Sequence, residues 1–138
     1  MKHIIISLLA MIAISVQASD LTTSSPEGAK VFIISPKNGD TIKSPFTIKF
    51  GINGMEIAPA GTNKKNAGHH HLLIDGKHLP DLEIPMGSDV IHFGKGQTET
   101  TLTLDEGKHT LQLILGNYLH IPHDPAIVSE IVTIEVKN

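Results

Sequence analysis

The chain has no cysteine and no tryptophan, and carries one tyrosine and four phenylalanines in 138 residues. Without cysteine there is no disulfide framework, and no thiolate for a metal or a reaction. Arginine is absent too, so every basic side chain is a lysine, and the formal net charge is −3. An acidic chain with neither arginine forks nor a supply of aromatic stacking platforms is excluded as a nucleic-acid binder. Several catalytic signatures are also missing: a G-x-S-x-G nucleophile elbow, a phosphate-cradling glycine loop and an H-E-x-x-H pair. The stretch "GKGQTE" (94–99) has glycines but no strand-to-helix setting, and reads as a hairpin loop.

The one long apolar run stands at the start. "MKHIIISLLAMIAISVQASD" has a basic Lys2, an apolar stretch from Ile4 to Val16, and small residues at Val16-Gln17-Ala18. This is the pattern of a secretory signal peptide, with a run too short for a membrane-spanning helix. Cleavage is expected after Ala18, so residues 1–18 form the signal and the mature chain starts at Ser19. A periplasmic or secreted location follows, with no membrane insertion after cleavage. No cysteine lies near the cut, which argues against a lipid anchor. Ser19 at the new amino terminus argues against a copper site built on an amino-terminal histidine. The remaining length suits one domain.

"SDLTTSSPEGAK" (19–30) is small and polar and reads as a flexible leader; residues 31–138 form the domain. "VFIIS" (31–35) is a β-branched run ended by Pro36 and the turn pair Asn38-Gly39. "FTIKFGIN" (46–53) alternates Phe46, Ile48, Phe50 and Ile52 against Thr47, Lys49, Gly51 and Asn53, which predicts one buried and one wet face. Further strands are expected at "HLLID" (71–75), "DVIHF" (89–93), "TETTLTL" (98–104), "HTLQLILG" (109–116) and "SEIVTIEV" (129–136). About seven short strands between Gly, Pro, Asn and Asp turns predict an all-β fold, an antiparallel immunoglobulin-like β-sandwich. Two longer loops, 58–68 and 117–129, are the expected places for binding residues.

Nine histidines are present, eight of them after the signal: 69, 70, 71, 78, 92, 109, 120 and 123. Residues two apart on a strand share a face. His69 and His71 can therefore chelate one ion, with His70 pointing the other way. The bland alternative has these rings capping the strand or bonding backbone carbonyls. In "YLHIPHDP" (118–125), Pro122 and Pro125 stiffen the loop that carries His120 and His123, and Asp124 could accept from a ligand's second ring nitrogen. A structured turn is the alternative there. His92, between Ile91 and Phe93, is expected to face outward or toward a neighbouring loop and to join the same site. His109 reads as a turn or edge histidine and His78 as ordinary surface. Tyr118 could line the site or pack against the loop. Met86 could offer a thioether to Cu(I), or simply fill the core.

Four of these stretches, "GHHHLLID", "HFGKGQTE", "GKHTLQLILGN" and "HIPHDP", occur in an order that resembles a bacterial secreted domain family of unknown function. Its members are sometimes labelled rod-shape-determining, a label the sequence does not support. The resemblance spans residues 30 to 137 and implies a small exported β-rich domain with no established activity. It supplies no ligand set. A weaker likeness of architecture links the chain to periplasmic copper-carrier sandwiches.

The expected function is an exported metal-binding protein for carriage, buffering or sensing, with His69, His71, His92, His120 and His123 as the candidate metal site. An all-nitrogen set suits Cu(II) first and Zn(II) second. Binding is expected to weaken below about pH 6, because ligand imidazoles must be neutral. The alternative is a metal-free envelope interaction module that meets another envelope protein and uses its histidines as braces. A third reading, a metal-dependent enzyme, would need Glu83, Asp75 or Asp124 beside the site as a base.

Overall fold

The structure, a computed structural model, describes residues 21–138. The expected signal peptide, 1–18, lies outside the described residues.

All regular structure among the described residues is β. The strands are β1 (Lys30–Ser35), β2 (Thr41–Ile42), β3 (Phe46–Asn53), β4 (Glu56–Ile57), β5 (Ala67–Ile74), β6 (Ile91–His92), β7 (Glu99–Leu102), β8 (Gly107–Gly116) and β9 (Val132–Val136). One sheet has the order β1-β3-β7; the other has β2-β9-β8-β5-β4, with β6 also paired to β5. Alternation explains the core. Val31 and Ile33 of β1, Ile48 and Phe50 of β3 and Leu102 of β7 share one buried cluster with Leu72 of β5, Leu111, Leu113 and Leu115 of β8, and Val132, Ile134 and Val136 of β9. Their polar alternates, such as Thr47 and Lys49, face water. Burial of this one apolar set from both sheets is the main force holding them together.

The structure departs from the purely antiparallel expectation. β2 runs parallel to β9, and β4 parallel to β5. Each of these strands has two residues, too short to show any period in the sequence. The strand expected at 71–75 begins earlier, at Ala67, so the histidine triplet lies inside β5. The cause is pairing: β8 follows β5 from Ile74↔Leu111 to His69↔Gly116, and β4 pairs with Ala67 and Gly68 on the other edge. Flanked and covered in this way, β5 is buried along nearly its whole length.

The segment expected as a leader makes defined contacts with loop 117–125. Asn117 Nδ2 donates to the Leu21 carbonyl at 3.0 Å. The Asp124 amide donates to the Thr23 carbonyl, and the Ser25 amide donates to the Asp124 carbonyl. Thr23 Oγ1 lies 2.8 Å from His123 Nδ1.

Candidate metal centre

Strand geometry divides the triplet between two faces. On one face of β5, His70 meets the main core, its ring centroid 5.2 Å from that of Phe50. On the other, His69 and His71 stack with centroids 4.5 Å apart. Both rings are fully buried. That second face looks toward the loops at 84–93 and 117–123.

His120 comes to the pair from the second loop. Its backbone has φ 66°, the left-handed region that a non-glycine residue enters at a cost, although histidine tolerates it better than most. Asn117, itself buried, enforces the bend: its Oδ1 accepts from the amides of Leu119 at 2.9 Å and Ile121 at 3.1 Å. The His120 amide in turn donates to the Asn117 carbonyl. The result is convergence. His120 Nδ1 lies 2.9 Å from His69 Nε2 and 3.4 Å from His71 Nε2. One ligand nitrogen from each of His69, His71 and His120 falls within 4.8 Å of the others. Imidazole nitrogens held about 2.0–2.1 Å from one ion stand about 3 Å apart at ordinary coordination angles. The two separations to His120 match that spacing, so the group could hold a metal ion.

His92 stands at the rim. It pairs across from His71 in the sheet, and its ring centroid is 4.7 Å from that of His71 and 5.0 Å from that of His120. Its Nε2 lies 3.0 Å from the Gly87 carbonyl. A carbonyl only accepts, so Nε2 is the donor in this contact and Nδ1 is left out of it. His92 is exposed, as expected, and so is Ile91; Phe93 is buried.

His123 stands apart from the three-nitrogen group. Its Nδ1 meets Thr23, and its Nε2 fills the space left by the missing side chain of Gly68. A Cβ at Gly68 would come within 2.8 Å of that nitrogen and 2.5 Å of the Gly116 carbonyl. His123 also lines a cleft of about 680 Å³ with Leu21, Ile84, Pro85 and Ile121. Asp124, expected as an acceptor for a ligand ring, is exposed and bonds through its main chain to Thr23 and Ser25.

Of the carboxylates considered as bases, Asp75 is engaged elsewhere, while Glu83 and Asp124 line the cleft beside His123. Asp75 closes the far end of β5, where its Oδ2 lies 2.7 Å from His109 Nδ1 and its Oδ1 accepts from the Thr110 amide. His109, expected as a turn or edge histidine, stands near the start of β8, away from the three-nitrogen group. Glu83 is exposed, and its amide donates to Asp81 Oδ1.

Burial sets the electrostatics. Desolvation, followed by the repulsion of neighbouring rings, pushes His69 down to about 4 and His71 down to about 3. Desolvation pushes His70 down to about 4. It also lowers His120, aided by His92, and lowers His123 against the opposing Thr23 bond. At neutral pH these rings are neutral, the state a metal requires. Five buried ring nitrogens have no hydrogen-bond partner among the described residues: Nδ1 of His69, both of His70, Nδ1 of His71 and Nε2 of His123. His70, with neither nitrogen partnered, is held by packing alone, whereas His69 and His123 each keep one polar contact.

Asn117, the organiser of the loop, escaped the sequence reading. Its signal was an asparagine at the start of a proline-bearing loop, a residue type that bonds the backbone just ahead of it.

The comparisons with known proteins add no activity. A family model described as Domain of unknown function (DUF4399) matches residues 48–137. The chain belongs to that family. The match runs from within β3 to the end of β9 and covers every histidine of the centre, in line with the resemblance drawn from the four motifs. No curated protein matches, and no solved structure matches.

Proposed function

We propose that this member of the DUF4399 family is an exported metal-binding protein, serving carriage, buffering or sensing of copper, with zinc second. His69, His71 and His120 form the inner set. His92 offers Nδ1 as a fourth nitrogen, and His123 braces the loop that presents His120. The observation that carries this reading is the convergence of the three ring nitrogens, one only 2.9 Å from another, in a buried place. Neutral rings could share one proton there; an ion satisfies all three lone pairs at once. Nitrogen ligands without thiolate suit Cu(II) and Zn(II), and copper has the higher intrinsic affinity.

Titration calorimetry with Cu(II) and Zn(II) on untagged protein tests the reading. One ion should bind per chain at micromolar concentration or below. His71→Ala and His120→Ala should each weaken binding by at least about tenfold, since each removes a direct ligand. Absence of saturable binding at micromolar levels overturns the proposal.

The metal-free interaction module draws on one observation: Leu79, Ile84 and Ile91 are exposed along the segment before and within β6. Its bracing histidines, however, would need hydrogen-bond partners, and the five orphaned ring nitrogens have none among the described residues.

A further inference from the structure

Met86 is almost fully buried and packs with Leu73, Val90 and Ile114 beside β5. Three observations join it to the histidine centre. Its amide donates to the His120 carbonyl at 2.9 Å, so its backbone is tied to a residue of the inner set. Its terminal methyl shares the space over Gly116 with the His71 ring: a Cβ placed on Gly116 would stand 3.0 Å from Met86 Cε, 2.4 Å from His71 Cε1 and 3.0 Å from His71 Nδ1. The ring edge and the methyl of the thioether, one bond from its sulfur, therefore both approach the same glycine. Finally, Met86 and His92 lie on one segment that crosses the mouth of the site, pinned by the bond between His92 Nε2 and the Gly87 carbonyl.

We propose that Met86 supplies a thioether sulfur to this centre, which lets the site hold copper(I) as well as copper(II). The inference rests on the metal-binding reading above and names the form of the cargo. Cu(I) is soft and favours thioether and imidazole ligands, whereas Zn(II) does not recruit thioethers. The chain has no cysteine, so methionine is its only source of sulfur. Met55, the other described methionine, packs in the main core with Ile48 and Phe50. Were Met86 only filling space, leucine would serve as well.

The test compares untagged wild-type protein with Met86→Leu. Cu(I) affinity is measured without oxygen by competition with a chromophoric Cu(I) chelator; Cu(II) and Zn(II) affinities are measured by calorimetry. Met86→Leu should lose at least about tenfold in Cu(I) affinity, with Cu(II) and Zn(II) affinities changing by less than about twofold. X-ray absorption of the Cu(I) form should show a sulfur neighbour that disappears in the variant. Should Met86→Leu fail to fold, wild-type protein grown with selenomethionine gives the same answer through a copper–selenium scattering path. Unchanged Cu(I) affinity in Met86→Leu, or a nitrogen-only copper shell, overturns the inference. If Cu(II) and Zn(II) bind while the sulfur is missing, only this inference falls. If neither ion binds the wild type, the metal-binding reading falls with it.

Discussion

At the scale of single residues, the site depends on side chains that are missing as well as those present. Gly116 sits opposite His69 in the sheet and leaves the gap into which His71 and Met86 converge. Gly116→Ala would drive a methyl into the His71 ring and toward the Met86 methyl. It should weaken Cu(II) binding by at least about tenfold while the far-ultraviolet circular dichroism keeps its β character, because only a local shift relieves the clash. His70 presents the opposite case. It is 1 % exposed, with both ring nitrogens unpartnered among the described residues. A buried polar group without a partner costs about 1–3 kcal/mol. His70→Leu should therefore raise the melting temperature while leaving metal affinity unchanged, since His70 points away from the centre; thermal melts and calorimetry on one variant check both halves. The alternation of the triplet was legible from the sequence. The approach of Met86 and His71 to the same place was not, because it depends on Gly116 of the neighbouring strand β8.

At the scale of elements, β5 is the frame and loop 117–123 the arm. The strand extends two histidines into the site because a two-residue spacing on a pleated backbone repeats direction. The arm reaches them because Asn117 gathers two amides ahead of it and forces His120 into the left-handed region. Asn117→Ala should loosen the arm and lower metal affinity without removing a ligand, and heteronuclear NMR should show new motion in residues 118–122. The other end of β5 behaves differently with pH. Its hydrogen bond to Asp75, then the Asp105 carbonyl, raises the pKa of His109 above its ordinary value. A histidine raised in the folded state stabilises below about pH 6.5 and loses that contribution as pH rises through the folded value. His109→Gln should therefore lower the melting temperature at pH 6 more than at pH 9. Equal losses at the two pH values would contradict this assignment. That His109 stands near the start of a strand could be read from the preceding "DEGK"; that Asp75 is its partner could not, since 34 residues separate them.

At the scale of the whole molecule, metal and proton act in opposite directions. In the metal-free protein, His69, His70 and His71 titrate below the value they have in the unfolded chain. Between about pH 6.5 and 4 the unfolded chain binds more protons than the folded one. Stability is thus fully present above about pH 6.5 and falls as pH drops through that window. Melting curves across the window should show the loss, and Cu(II) should oppose it. An ion at a hundred times its dissociation constant adds about 2.7 kcal/mol, which raises the melting temperature by on the order of 10 °C for a domain of this size. The same shifts move the acid limit of binding below the pH 6 expected for ordinary imidazoles, because the inner rings stay neutral further into acid.

Several levels of this protein were readable from the chain alone. The β-class follows from period-two alternation in segments such as "FTIKFGIN", since a strand with one wet face has to alternate. The choice of histidine as the working residue follows from its abundance in a chain with no cysteine. The pairing of His69 with His71 follows from strand geometry. Tertiary structure decided the rest. The two parallel pairings, the docking of residues 21–25 on the second loop, the separation of His123 from the inner set and the arrival of His120 at 2.9 Å from His69 all bring together residues far apart in sequence. Local patterns encode the direction of a side chain relative to its own backbone. Which two backbones become neighbours is set by how the apolar faces of the longer strands in both sheets bury one another, and no single segment contains that information.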